Sequence, residues 1–179
     1  LRRLVIVAVL VAVVAFIYRD PLELNSSEPE STGTGTLTLA QPSPAPGEVA
    51  PNFGATRMNG EEFEMPDDGA YVISFWSGLN QASQSSRPAF ERLAGQYAGS
   101  EVTFVAVYVG GIPRDDRGDA PYAVIQDGAG ELTSLYNVKR VPRIFLVKDG
   151  EVHLSQDGFS ERQERDMRRE LEDTLRSDG

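Results

Sequence analysis

The sequence predicts an α/β domain: a three-layer sandwich with a mixed central sheet and helices on both faces. Three observations predict it. Residues 71–76 (YVISFW) and 102–109 (VTFVAVYV) are near-continuous apolar runs, rich in the aromatic and β-branched residues of strands buried on both faces. Between them, Phe90, Leu93, Ala94 and Tyr97 fall at helical spacing, so a strand–helix–strand crossover joins the two runs in parallel. Further on, RIFLVK (143–148) and EVHL (151–154) flank Asp149-Gly150, a tight-hairpin signal, so the other half of the sheet is antiparallel.

The elements follow in order. Residues 1–19 open with Arg2 and Arg3, then a fifteen-residue apolar run, 4–18, then Arg19-Asp20-Pro21. Basic residues ahead of such a run place the N-terminus in the cytoplasm. As a helix the run reaches roughly 22 Å, short of the ~30 Å hydrocarbon core, and Arg3 and Arg19 can snorkel to close the gap. No A-x-A cleavage site follows, which favours an uncleaved signal anchor in the membrane; secretion after cleavage is the alternative. Residues 20–49 are rich in Pro, Ser, Thr, Gly and Glu and bury too little to offset ordering entropy, so they read as a flexible tether. The domain, 50–179, is thereby expected on the extracytoplasmic side.

Within the domain, Met58-Asn59-Gly60-Glu61 is a turn between two short strands. The strand at 71–76 leads to a helix over 84–97, with Ser83 as its cap and Ala98-Gly99-Ser100 as its stop. After the 102–109 strand, residues 110–120 are Gly-, Pro- and Asp-rich and form a surface loop. A short strand at 122–126, a short helix at 131–137 and the hairpin follow. A last helix over 160–177 has Ser160 as N-cap, Glu161 and Glu164 in its first turn, and an apolar seam of Met167, Leu171 and Leu175.

Composition excludes several chemistries. The net charge of −10 and pI near 4.6 repel nucleic acid, which is not expected as a partner. With no cysteine there is no disulfide, thiolate ligand or thiol nucleophile. One histidine, His153, leaves little for a His-based metal site or a Ser-His-Asp triad, and no cofactor or metal is expected. Asp115, Asp116 and Asp119 lack EF-hand spacing and sit beside Arg114 and Arg117, so they read as a charged turn.

A set of short matches in the right order resembles one family. They are Ala50-Pro51-Asn52-Phe53, the Asn59-Gly60-Glu61 turn, Phe75-Trp76 ending the central strand, and Pro88 five residues after Ser83. Next come Leu135-Tyr136-Asn137-Val138, Val141-Pro142, Phe145-Leu146-Val147 and Asp149-Gly150. Together they resemble the thioredoxin-fold proteins, nearest the membrane-anchored TlpA/ResA-like thioredoxins and the redoxin (peroxiredoxin-like) group. The resemblance covers nearly the whole domain and implies a cis bond before Pro142.

It also shows what is missing. By the resemblance, Asn80 stands where the family has its attacking cysteine and Ser83 where it has the resolving one. Gln81 and Ala82 take the middle positions, Leu79 the place of the motif tryptophan, and Ser74 that of a buried acid. Dithiol exchange needs a thiolate and a thiol leaving group, and neither Asn nor Ser supplies one. Ser83, Ser85 and Ser86 have no base in reach, since the resemblance puts His153 on the far hairpin. What remains is a binding geometry: Trp76, Leu79, Asn80, Gln81 and Ser83 at a helix start, and Val141, Pro142 and Arg143 beside a strand end open to an extended peptide. The expected function is a non-catalytic module that binds a peptide or protein in the groove between Asn80 and Pro142. The alternatives are a thiol-disulfide oxidoreductase or antioxidant protein by lineage, and a structural domain with no groove ligand.

Overall fold

The computed structural model describes residues 42–112 and 120–176. The apolar run 4–18, most of the tether and the charged turn at 114–119 lie outside the described residues. Among the described residues no helix is long and apolar enough to cross a membrane.

Among the described residues there are seven strands and three helices: β1 (Gly54–Thr56), β2 (Glu62–Glu64), β3 (Ala70–Trp76), α1 (Gln81–Gln96), β4 (Val102–Val109), β5 (Ala123–Asp127), α2 (Glu131–Leu135), β6 (Arg143–Lys148), β7 (Glu151–Asp157) and α3 (Glu161–Arg176). The main sheet runs β5-β4-β3-β6-β7, with β3, β4 and β5 parallel and β6 and β7 antiparallel, while β1 and β2 form a separate ribbon. The mixed sheet is the predicted one. Chain packing begins before Ala50: the Gly47 N–H donates to the Val152 carbonyl and the Val152 N–H to that of Glu48, a fringe along the β7 edge.

Strand alternation divides the core. Val72 and Trp76 of β3 join Phe90, Leu93, Phe104, Met167 and Leu171 on the face covered by α1 and α3. Ile73 and Phe75 join Phe53, Phe63, Val107, Tyr136 and Phe145 on the face covered by the ribbon and α2. Every residue of β3 is buried, as its unbroken apolar run requires. Tyr136 is the polar tie of the second layer. Its ring stands 5.3 Å from Phe75 and 5.1 Å from Phe145, its hydroxyl donates to the Pro51 carbonyl at 2.8 Å, and burial pushes its phenol well above the usual range. Tyr136→Phe leaves that carbonyl without this donor and should cost about 1 kcal/mol in urea unfolding, with the near-ultraviolet signature retained.

Three elements depart from expectation. Helix α1 begins at Gln81, not 84, and its N-cap is Asn80, not Ser83: Asn80 has extended backbone and its Oδ1 accepts the Ser83 N–H at 3.0 Å. Helix α2 stops at Leu135 because Asn137 turns left-handed (φ 46°). The Asn137 and Val138 N–H groups then donate back to Ser134 and Thr133, the Schellman pattern. Strand β7 reaches Asp157, since its polar end, Ser155 to Asp157, pairs with the start of β6 and carries no apolar signal of its own.

The β6–β7 turn has Asp149 at φ 50° and Gly150 at φ 76°, as a two-residue type I′ hairpin needs. Asp149 also clasps the entry to β3, accepting the Gly69 N–H and donating its own N–H to the Gly69 carbonyl, each at 3.0 Å. That Gly69 N–H, helped by Lys148, holds the Asp149 carboxyl below its ordinary range. A depressed folded-state value stabilises above the unfolded one and is lost as pH falls through the folded one. Asp149→Asn should therefore flatten the acid side of the stability–pH curve, measured by urea midpoints at stepped pH.

Helix α3 starts with a capping box: the Ser160 N–H donates to Gln163 Oε1 at 2.9 Å, and the Gln163 N–H reaches back to Ser160 Oγ. Glu164, a first-turn acid in the sequence, is buried between Arg92 of α1 (3.0 Å) and Arg168 (2.9 Å), and so joins the two helices.

Candidate functional site

The sheet brings the two predicted halves of the site to one end. In the β3/β6 pairing Phe75 lies opposite Arg143, so the chain leaving β3 after Trp76 and the chain entering β6 through Pro142 are neighbours. The first continues through residues 77–80 into α1. The second holds the Val141-Pro142 bond, which is cis, and the Pro142 carbonyl accepts the Gly158 N–H at 2.8 Å.

The α1 start is internally satisfied. Besides the Asn80 cap, Ser83 Oγ accepts the Ser77 N–H at 3.2 Å and Gln84 Nε2 donates to the Gly78 carbonyl at 2.6 Å. Ser83 is 2% exposed, and among the described residues no carboxylate or imidazole is hydrogen-bonded to it, so the hydroxyl has no base. The Ser86 hydroxyl is spent on the Ala82 carbonyl at 2.8 Å. Gln81 is exposed, and Leu79 is 87% exposed at the tip of the loop. Asn80→Ala should cost about 1 kcal/mol through loss of the cap, read as a shift in the urea midpoint.

Trp76 is 1% exposed, packed edge-on against Phe90 at 5.3 Å, and its Nε1 has no hydrogen-bond partner. Ser74, at the position of the family's buried acid, is fully buried with its hydroxyl likewise unpartnered. Both lie on the α1 face of β3.

Two clefts flank this end. One, of about 310 Å³, is lined by Trp76, Ser83, Gln84, Arg87, Pro88 and Tyr108 on the β4 side. The other, about 330 Å³, lies on the β6–β7 side and includes Lys139, Arg140, Arg143 and Asp157. Leu79, Asn80, Gln81, Val141 and Pro142 line neither, so the predicted residues are split across one end of the sheet. Arg143 is engaged within the sheet: its guanidinium donates to Asp157 and Ser155, each at 3.0 Å, and lies over the Phe145 ring at 5.2 Å. Lys139 and Arg140 were not singled out from the sequence, although a basic pair directly before Val141-Pro142 in an acidic chain was legible there. A third cleft, about 370 Å³, is lined by the last turn of α1 and the first residues of β4 and β5, at the other end of the sheet.

Comparison with solved structures decides the fold. The chain superposes on a protein assigned as thiol:disulfide interchange protein DsbE of Chlorobium tepidum with a TM-score of 0.65 and 23% identity, over 74% of this chain and 99% of that one. The chain has the thioredoxin fold. StoA from Bacillus subtilis matches at TM-score 0.56 and 18% identity, over 70% of this chain and 99% of the other. The pneumococcal exposed lipoprotein thioredoxin of Streptococcus pneumoniae matches at 0.56 and 19%, over 68% and 99%. No family model and no curated protein matches the sequence. On this thioredoxin fold, the end that carries Asn80, Ser83 and cis-Pro142 carries no sulfur.

Proposed function

We propose that the protein is a non-catalytic thioredoxin-fold module that holds an extended segment of a partner protein at the sheet end shared by Asn80 and cis-Pro142. One observation supports it: the fold is retained around positions 80 and 83 while both lack the sulfur that exchange chemistry requires. Residues 4–18 anchor the chain in the membrane and residues 20–49 tether the domain on the extracytoplasmic side. One structural neighbour is the pneumococcal exposed lipoprotein thioredoxin, which fits that placement. The neighbours named as thiol:disulfide interchange proteins favour a second reading, an oxidoreductase by lineage. That reading needs a thiol from elsewhere, since this chain has none.

The test is site-specific photo-cross-linking in the full chain. A photoreactive residue at exposed Leu79 or at Lys139 should capture a partner, and one at exposed Val49, along the β7 edge, should not. Absence of a product at both 79 and 139 would favour the structural-domain alternative.

A further inference from the structure

We propose that the partner segment held beside cis-Pro142 is acidic and is recognised by Lys139 and Arg140, with Arg143 behind them. This rests on the peptide-binding reading above and narrows it to one ligand class. Twelve lysines and arginines lie among the described residues, and nine of them are ion-paired within the domain. Of the three that are not, Lys139 and Arg140 are adjacent, exposed and line the same cleft. The one carboxylate in that cleft, Asp157, is committed to Arg143, so three cations face one acid in a chain of net charge −10. Arg143 Nε is buried there without a partner.

Backbone geometry adds the second half. Residues 139–141 make no backbone hydrogen bond among the described residues, directly before the point where β6 begins to pair with β3. Open N–H and C=O groups at a strand end can pair with an extended chain, and side chains of that chain then fall beside Lys139 and Arg140. Elsewhere the acidic surface repels an acidic segment, so complementarity at this cleft selects both the ligand and where it docks.

The experiment uses the full 179-residue chain and a rhodamine-labelled peptide, Thr-Val-Glu-Val-Glu-Val-Thr, beside its Gln-for-Glu counterpart, read by fluorescence anisotropy. Two solvent-exposed charge pairs predict a preference of up to about tenfold for the Glu peptide at low salt. Lys139→Gln/Arg140→Gln should abolish the preference, and bound Glu peptide should protect the amides of 139–141 from hydrogen exchange. Equal affinity for the two peptides would overturn the acidic specificity and leave peptide binding standing. Failure of both peptides to bind would overturn the acidic specificity and the peptide-binding reading together. Binding to phosphatidylserine vesicles that the same double variant loses would assign the basic pair to a lipid surface and overturn the proposal.

Discussion

Asn80→Cys/Ser83→Cys should reduce insulin disulfides in the presence of dithiothreitol, whereas the natural chain should add nothing to the rate of dithiothreitol alone. Residues three apart at the start of a helix are neighbours at about 5–6 Å, within reach of a disulfide after small adjustment. A thiol at position 80 would replace the N-cap of α1, where unsatisfied N–H groups and the helix dipole favour the thiolate. A thiol at position 83 would enter the buried site now held by Ser83. Replacing the Asn80 cap costs about 1 kcal/mol, small against the stability of an ordinary domain, so the variant should fold. Gain of turnover would mean that the redox frame persists and only sulfur was lost. A folded but inactive variant would mean that the neighbourhood has changed as well, and neutral Ser74 in place of an acid is the first residue to examine. Activity of the natural chain would overturn the non-catalytic reading.

Phe90→Ala should be the most destabilising single change to α1, at about 3–5 kcal/mol by urea unfolding. Phe90 is fully buried, and four aromatic rings stand within about one contact distance of it: Trp76 and Tyr122 at 5.3 Å, Phe104 at 5.5 Å and Phe159 at 6.1 Å, all near edge-to-face. It joins the helix of the candidate site to β3, β4 and the chain entering α3. Stabilities of single domains are typically 5–15 kcal/mol, so the loss is a large fraction of the total. Leu79→Ala is the contrast. That side chain is 87% exposed, and its removal should change stability by less than about 0.5 kcal/mol while weakening any partner contact at the loop tip.

Much of the architecture was legible because its signals are local and periodic. The apolar runs of β3 and β4, the Asp149-Gly150 turn and the Met167/Leu171 seam each declare an element through side chains spaced for burial. The α1 start was not legible in the same way. Asn80-Gln81-Ala82-Ser83 reads as a polar loop until the Asn80 side chain is seen accepting the Ser83 N–H. The end of β7 was missed because its pairing partners, not its residues, make it a strand. Glu164 is the first-turn acid the sequence shows, but only the fold buries it between two arginines, one of them 72 positions away in sequence.

The residue order established the fold class and the absence of any atom able to perform thiol exchange, because both follow from residue identity and short-range spacing; that Asn80 and Ser83 stand where the family has its cysteines is what the resemblance implies. Only the tertiary structure decided which charges are spent. Arg143 is neutralised by Asp157 across a strand pair, while Lys139 and Arg140, four and three positions upstream, meet no carboxylate among the described residues and line the same cleft. Ion pairing depends on which distant strands and helices the chain folds together, and spacing along the sequence carries no record of it.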